Sequence, residues 1–387
     1  MAYRESFRER WGDRLARPFR RGGERSWMWR LLLPLFLLLA IAYIIYAIYT
    51  FSIFWDRDIY WPQRILTEQE SRAGQREALT GPGVGGEGSE RIASPSEECV
   101  ASRVVEAQVY LIDLVVNRND WVASNPLFKM GPLFLADWED TPWFDNKKSE
   151  QIGILDILRR LGIELTDSLG RVRGTSAENA NLTNAQSALR VDANAWYVNN
   201  PFNDQINTIS PSAEQSYRRS MELYQAYNRE LDTCDAIFDT RRDNLREVLS
   251  RFTATLGATT TELIARTRAT VYDPKTDLFV EADGNNRGWF DFHADNYFYR
   301  ARGKMYALHG VMQAMRVDFN DVLAEANLDE VWDKMEQNLA EGAAVEPFVV
   351  SNGAADSAFQ PDHLGKMAEI VLNARTSMVE IRDILRN

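Results

Sequence analysis

Ser212 to Leu256 reads SAEQSYRRSMELYQAYNRELDTCDAIFDTRRDNLREVLSRFTATL, with no glycine or proline. Within it Tyr217, Tyr224, Leu231, Phe238, Leu245 and Phe252 recur every seven residues. Met221, Tyr227, Val248, Leu249 and Leu256 fill the neighbouring positions. A heptad sustained this long predicts a helix with a coiled-coil-like seam, buried inside the fold or against a second copy. Unbroken, it would run about 67 Å at 1.5 Å per residue. Asp239, Arg241, Arg242 and Asp243 interrupt the seam, so a division into two helices near 240 stays open. Gly257 is placed to end the helix.

Working outward, the fold class is mainly α. Further helices are expected at 97–118, 258–269, 294–317, 318–341 and 362–386, with Ser94-Pro95-Ser96-Glu97-Glu98 starting the first. Asp273-Pro274 and Asp283-Gly284-Asn285-Asn286 are turn signals around Leu278, Phe279 and Val280, and they predict a short β-hairpin near 278–290. The segment 121–150 sets Trp121, Phe128, Phe134, Trp138, Trp143 and Phe144 among prolines and acids. It reads as an irregular aromatic connection draped over the helical bundle.

The N-terminal end has another character. Between Arg30 and Asp56 lies LLLPLFLLLAIAYIIYAIYTFSIFW, residues 31–55, without a charge. About 20 apolar residues cross a bilayer as a helix, so this run predicts a single transmembrane helix, with Pro34 in its first turn. Trp27 and Trp29 flank one end, and Tyr49, Trp55, Tyr60 and Trp61 flank the other, as interfacial aromatics do. The run is too long for a cleaved signal peptide and ends in Phe-Trp-Asp-Arg rather than small residues.

The net charge of −12 is uneven. Residues 1–30 hold nine arginines against four acids, which leaves −17 on the remainder. The positive-inside rule therefore puts residues 1–30 in the cytoplasm as a basic tail and the acidic body on the other side. An acidic body argues against nucleic acid as a partner; the bilayer is the expected one. The stretch after Pro62, with Gly81-Pro82-Gly83-Val84-Gly85-Gly86-Glu87-Gly88 at its centre, reads as a flexible linker. The expected organisation is a tail at 1–30, a membrane helix at 31–55, a Gly-rich linker at 56–95 and an acidic helical domain at 96–387. A mean hydropathy of −0.36 and a hydrophobic fraction of 45% exclude a disordered chain and a polytopic membrane protein.

Few residues promise chemistry. The two cysteines, Cys99 and Cys234, either form a disulfide outside the cytoplasm or stay as two buried thiols, and the sequence does not choose. No paired-cysteine zinc pattern, HExxH, GxSxG, Walker A or dinucleotide fingerprint occurs, so neither a metal nor a cofactor is expected. The catalytic candidates are Asp291, His293, Asp295 and His363. His293 stands between two carboxylates that would not share its face on a helix. His363 follows Asp362 where the last helix starts, and helix capping by Asp362 accounts for that acid. His309 reads as a packing residue. Arg241 and Arg302, with neighbours Arg242 and Arg300, have the fork geometry to clamp an anion, although in an acidic helical body such groups more often pair with acids such as Asp239, Asp243 or Glu247.

A set of short phrases carries a resemblance. They are Asn119-Asp120-Trp121, the stretch Asp145-Asn146 to Gln151-Ile152-Gly153, Tyr227-Asn228-Arg229-Glu230-Leu231 and Phe238-Asp239-Thr240-Arg241-Arg242-Asp243-Asn244-Leu245. To these add Ala301-Arg302-Gly303, Asp318-Phe319, and Ser351-Asn352-Gly353 followed by His363. Together, over about residues 30–387, they resemble the bacterial family catalogued as domain of unknown function 2333. The resemblance implies a proteobacterial inner-membrane protein with no assigned activity and no catalytic residues to carry over; with the charge bias above, the body is then expected in the periplasm. The expectation is then a non-enzymatic envelope scaffold or interaction protein, meeting other envelope proteins or itself through the heptad helix. The alternative is an anchored hydrolase or ligand-binding protein with a site built from Asp291, His293, Asp295, Arg302 and His363.

Overall fold

The computed structural model describes residues 25–52, 57–65, 99–125, 128, 141, 144–171, 178–195, 211–267, 270–281, 291, 293–353 and 359–386. The chain divides into two units, 1–55 and 56–387. In the first, α1 runs Arg25–Ser52, so Pro34 lies inside the helix rather than in its first turn and removes one i→i−4 bond. Its described side chains, 32–48, are apolar all round, and Leu33, Phe36, Leu38 and Ile45 are all exposed. Among the described residues no helix is long and apolar enough to cross a membrane; the uncharged run 31–55 extends beyond the described side chains at both ends.

The second unit is mainly helical. It comprises α2 (Trp61–Ile65), α3 (Arg103–Asp113), α4 (Asp145–Glu164), α5 (Ala180–Leu189), α6 (Ala213–Asp232) and α7 (Arg242–Thr267). A hairpin of β1 (Thr270–Asp273) and β2 (Leu278–Glu281) follows. The chain closes with α8 (Ala294–Asp318), α9 (Asn320–Glu325), α10 (Asp329–Ala344) and α11 (His363–Ile384). Single π-helical turns, Leu114–Arg118 and Leu165–Leu169, end α3 and α4.

Helix α8 is the centre. Residues 301–312 are buried without a break, because α4, α10, α3, α11 and α7 pack around it. A helix buried on all sides has no wet face for its polar residues, so Arg302, Lys304 and His309 must each be accommodated inside. The tightest crossing is with α4. A Cβ on Gly153 would lie 2.1 Å from the carbonyl oxygen of Arg300, and one on Gly303 would lie 2.2 Å from that of Glu150. Two glycines thus bring the backbones together.

The heptad region is two helices, not one long rod. Helix α6 ends at Asp232, the chain turns through Thr233–Arg241, and α7 starts at Arg242. Cys234 takes a left-handed φ of 64° in that turn and is disulfide-bonded to Cys99, with Cα atoms 5.6 Å apart. The heptad residues Tyr217, Tyr224, Leu231, Phe238, Leu245 and Phe252 are buried within the one chain, so the seam is part of the internal core. Gly257 does not end α7. It lies mid-helix against Arg375, with 3.1 Å between its ideal Cβ and the guanidinium Nε, and the helix runs on to Thr267.

Other boundaries also move. Helix α3 starts at Arg103, capped by Ser102, whose hydroxyl accepts from Val105 N, and not near 97. The hairpin spans 270–281, with Thr270 opposite Glu281 and Asp273 opposite Leu278. Its turn is therefore the Pro274–Asp277 signal; 282–290 lies outside the described residues. The expected helix 318–341 is two, broken at Asn327, where φ is 50°. In the aromatic connection Trp121, Phe128 and Phe144 are buried, the last two with ring centroids 5.2 Å apart. The middle of that connection lies outside the described residues.

The largest revision concerns the stretch read as the start of the linker. Trp61 is fully buried, stacked on Tyr110 at 4.2 Å and seated where Gly310 leaves room. A Cβ at 310 would fall 1.9 Å from the indole. Trp61 is a core residue rather than an interfacial one. Arg57 bonds Glu150 at 3.2 Å, and the Tyr306 hydroxyl donates to Asp58 O at 2.9 Å. The body therefore takes hold of the chain at Arg57. The Gly-rich part of the expected linker lies outside the described residues.

Candidate functional site

The arginine with the strongest claim to a ligand is already occupied. Arg302 on α8 is 2% exposed and donates twice to Glu150 Oε2, through Nε at 3.0 Å and through Nη2. Tyr299 stacks under the guanidinium at 4.4 Å, and Arg57 takes the other oxygen of Glu150. Beside the glycine crossing, this pair is part of the helix packing. Losing either partner would strand a buried charge. Arg300 bonds Asp156 at 3.0 Å, Arg241 bonds Asp239, and Arg242 donates to the carbonyl of Ile384. None of these arginines is arranged as an anion clamp.

Two of the catalytic candidates converge. Segments 351–353 and 361–363 meet in an antiparallel bridge, Asn352 opposite Asp362. Asn352 Nδ2 donates to Asp291 Oδ2 and to the carbonyl of Arg266, both at 3.0 Å, and Arg266 pairs with Asp291 Oδ1 at 2.7 Å. On the same bridge, Ser351 N donates to His363 Nδ1 at 3.0 Å. Burial pushes the Asp291 carboxyl up, but bonds from Arg266, Asn352 and the His293 backbone outweigh it and the net direction is down. Burial holds His363 below its usual range against the pull of Asp362, whose own carboxylate caps α11 at Gly365 N, 2.7 Å away. An ionised, arginine-paired aspartate and a histidine whose Nδ1 receives a backbone N–H form a joint between segments. Ser351 Oγ also lies 3.2 Å from His363 Nδ1, but its hydroxyl donates to the Pro361 carbonyl at 2.6 Å while Nδ1 accepts the Ser351 N–H, so the serine–histidine contact is tied into the same joint.

His293 reaches this joint only through its backbone N–H, which donates to Asp291 Oδ1 at 3.2 Å, and no hydrogen bond ties Asp295 to it among the described residues. His293 stands at the N-cap of α8 without a side-chain cap, and Asp295 lies in the first turn, its carboxyl raised mainly by burial. Arg302 belongs to the α4–α8 crossing. Among the described residues no group of three His, Cys, Asp or Glu gathers to hold a metal.

A concavity lies elsewhere among the described residues. A groove of about 900 Å³ runs between α3 and α6, beside the disulfide. Its walls alternate in sign, with Arg103, Arg118 and Arg229 set among Glu106, Asp113 and Asp232. Arg103 bonds Glu106 at 2.6 Å, and Arg118 bonds Asp113 at 2.9 Å while its guanidinium lies over Tyr110 at 4.8 Å. Beneath the groove, Asp318 caps α3 from the end of α8. It accepts from Ser102 Oγ at 2.7 Å and from Arg103 N and Val104 N at 3.0 Å. Burial nonetheless raises its carboxyl to about 6.

The family described as "uncharacterized protein conserved in bacteria (DUF2333)" matches residues 121–387, from just after the π turn that follows α3 through α11. The chain belongs to the DUF2333 family. The match is narrower than the 30–387 that the sequence phrases suggested; it includes Glu150, Arg302, Asp291 and His363 and leaves out α1 and Cys99. No curated protein and no solved structure matches the chain.

Several residues that organise the DUF2333 region escaped the sequence reading. The sequence reading gave no role to Glu150, Asp318 or Arg266. Lys147 and Lys304 are buried as well. Burial lowers Lys147 to about 8 against the pull of Asp120, and lowers Lys304 against Asp156. The only advance signal was Gly153 and Gly303, since isolated glycines in helical patterns mark close backbone approach.

Proposed function

We propose that this chain is a single-pass inner-membrane protein whose helical body faces the periplasm and works by contact with other envelope proteins. Anchoring is supported by the uncharged run 31–55, by the exposure of apolar side chains on every side of α1, and by the arginine-rich tail before it. The bond between Cys99 and Cys234 supports an oxidising compartment for the body.

The observation that carries the contact reading is where the chemistry-bearing groups go. Arg302, Asp291 and His363 are used in joining helices and loops, while the α3–α6 groove is open and lined by charges of both signs. Such a wall suits a polar segment of another protein better than a single small anion. Photo-crosslinking residues placed at Gln225 and Arg229 in the groove should yield discrete adducts in native membranes. The same group at Arg382, on the last turn of α11, should not. A turnover that disappears in Asp291→Asn while the fold persists would overturn this reading. Topology has a separate check: a C-terminal reporter active only in the cytoplasm would reverse the orientation.

A further inference from the structure

The loop between α10 and α11 carries an apolar tip that stands exposed among the described residues. In Val345-Glu346-Pro347-Phe348-Val349-Val350, Phe348 is fully exposed and Val349 is 65% exposed, while Val350 packs against the core. A single exposed apolar side chain needs no explanation. What gives this tip a direction is its fastening. Glu346, two residues before Phe348, bonds Arg57 at 3.2 Å. Arg57 also bonds Glu150 and lies 3.5 Å from the carbonyl of Ala343 at the end of α10.

Arg57 stands two residues after Trp55, where the uncharged run ends. Two residues span at most roughly 7 Å of extended chain. We propose that Phe348 and Val349 are a membrane-interface contact of the body, inserting into the headgroup and acyl boundary of the bilayer that holds residues 31–55. This rests on the reading of 31–55 as the membrane span. Under that reading the body is not displayed on a long tether: the chain docks at Arg57 and Trp61 before the Gly-rich segment begins. The Glu346–Arg57 pair then places the 346–349 turn beside the point where the chain leaves the membrane.

Charge agrees with this occupant. Glu346 is the sole charged residue from Val345 to Gly353, and Arg57 and Arg302, at 3.2 and 3.9 Å, face it. With that acid balanced, the turn presents an aromatic and a β-branched side chain, as interfacial insertions do. The proline between them and Glu346 fixes one backbone angle of the turn.

The disulfide leaves no free cysteine among the described residues, so an added cysteine carries a probe at a chosen place. We would label full-length Phe348→Cys, Val349→Cys, Lys366→Cys and Leu38→Cys with an environment-sensitive fluorophore. The proteins would sit in phosphatidylethanolamine–phosphatidylglycerol vesicles, with or without brominated acyl chains. The proposal expects blue-shifted emission and at least twofold bromolipid quenching at 348 and 349, strong quenching at 38, and none at 366 on the exposed face of α11. Quenching at 38 with a water-like probe at 348 overturns the contact and leaves the anchor standing. No quenching at 38 overturns the anchor and this contact with it. Shielding at 348 that depends on protein concentration and not on bromolipid assigns the tip to a second copy, and overturns the proposal.

Discussion

Helix α8 has a buried carboxylate at each end, and the two answer to different surroundings. Asp291, just before its first turn, receives a guanidinium, a side-chain amide and a backbone N–H, and these hold it below the usual carboxylate range despite burial. Asp318, its last residue, receives a hydroxyl and two backbone N–H groups, and there burial wins, raising the carboxyl to about 6. A buried acid stays ionised readily when an arginine faces it, and neutral donors only partly substitute. The loop end of α8 is therefore a charge joint, whereas the α3 end is a helix cap at the edge of protonation.

The largest expected effect lies between these ends and sets the scale. Arg302→Leu strands Glu150 at the glycine crossing and should cost about 3–5 kcal/mol in urea denaturation, while Arg302→Leu with Glu150→Leu should recover most of it. An equal loss in the single and double variants would remove the ion pair from the account. Asp318→Ala comes next. It leaves a buried hydroxyl and two N–H groups without their acceptor and should cost about 2–3 kcal/mol.

The pH response separates the two ends in sign. Asp318 has a folded pKa above its unfolded value, so the native state keeps a proton that the unfolded chain releases. Its contribution declines as pH rises from about 4 to about 6. Asp291 has a depressed folded pKa, so its contribution is present above about pH 4 and is lost as the pH falls through the lower folded value. In urea midpoints measured across pH, Asp318→Asn should remove a falling component between 4 and 6; an unchanged slope would mean Asp318 is ionised throughout. The smallest effect is Asp291→Asn, about 1–2 kcal/mol at pH 7 and vanishing in acid. A loss that persists in acid would mean the joint holds by shape rather than charge.

How much of this was legible depends on range. Helices α8 and α11 were readable because their apolar spacing and turn signals are local. Helix α4 was missed because the aromatic connection ran into it and its glycines weakened the helical pattern; only the partner helix shows that those glycines are crossing points. Gly257 misled for the same reason: as a cap it needs nothing distant, whereas its mid-helix place depends on Arg375 lying across it. At the candidate site, Arg302, Asp291 and His363 stood out by type. Their partners did not, since Glu150 is 152 residues from Arg302 and Asn352 is 61 from Asp291. Pairing over such separations leaves no trace in a local window.

Trp61 has a mechanical consequence. Its indole is wedged between Tyr110 and the space above Gly310, so any pull on the chain before Arg57 is loaded onto the middle of α8. A slack tether would absorb such tension. This attachment transmits it to the central strut of the body, beside the ion pair of Glu150 and Arg302.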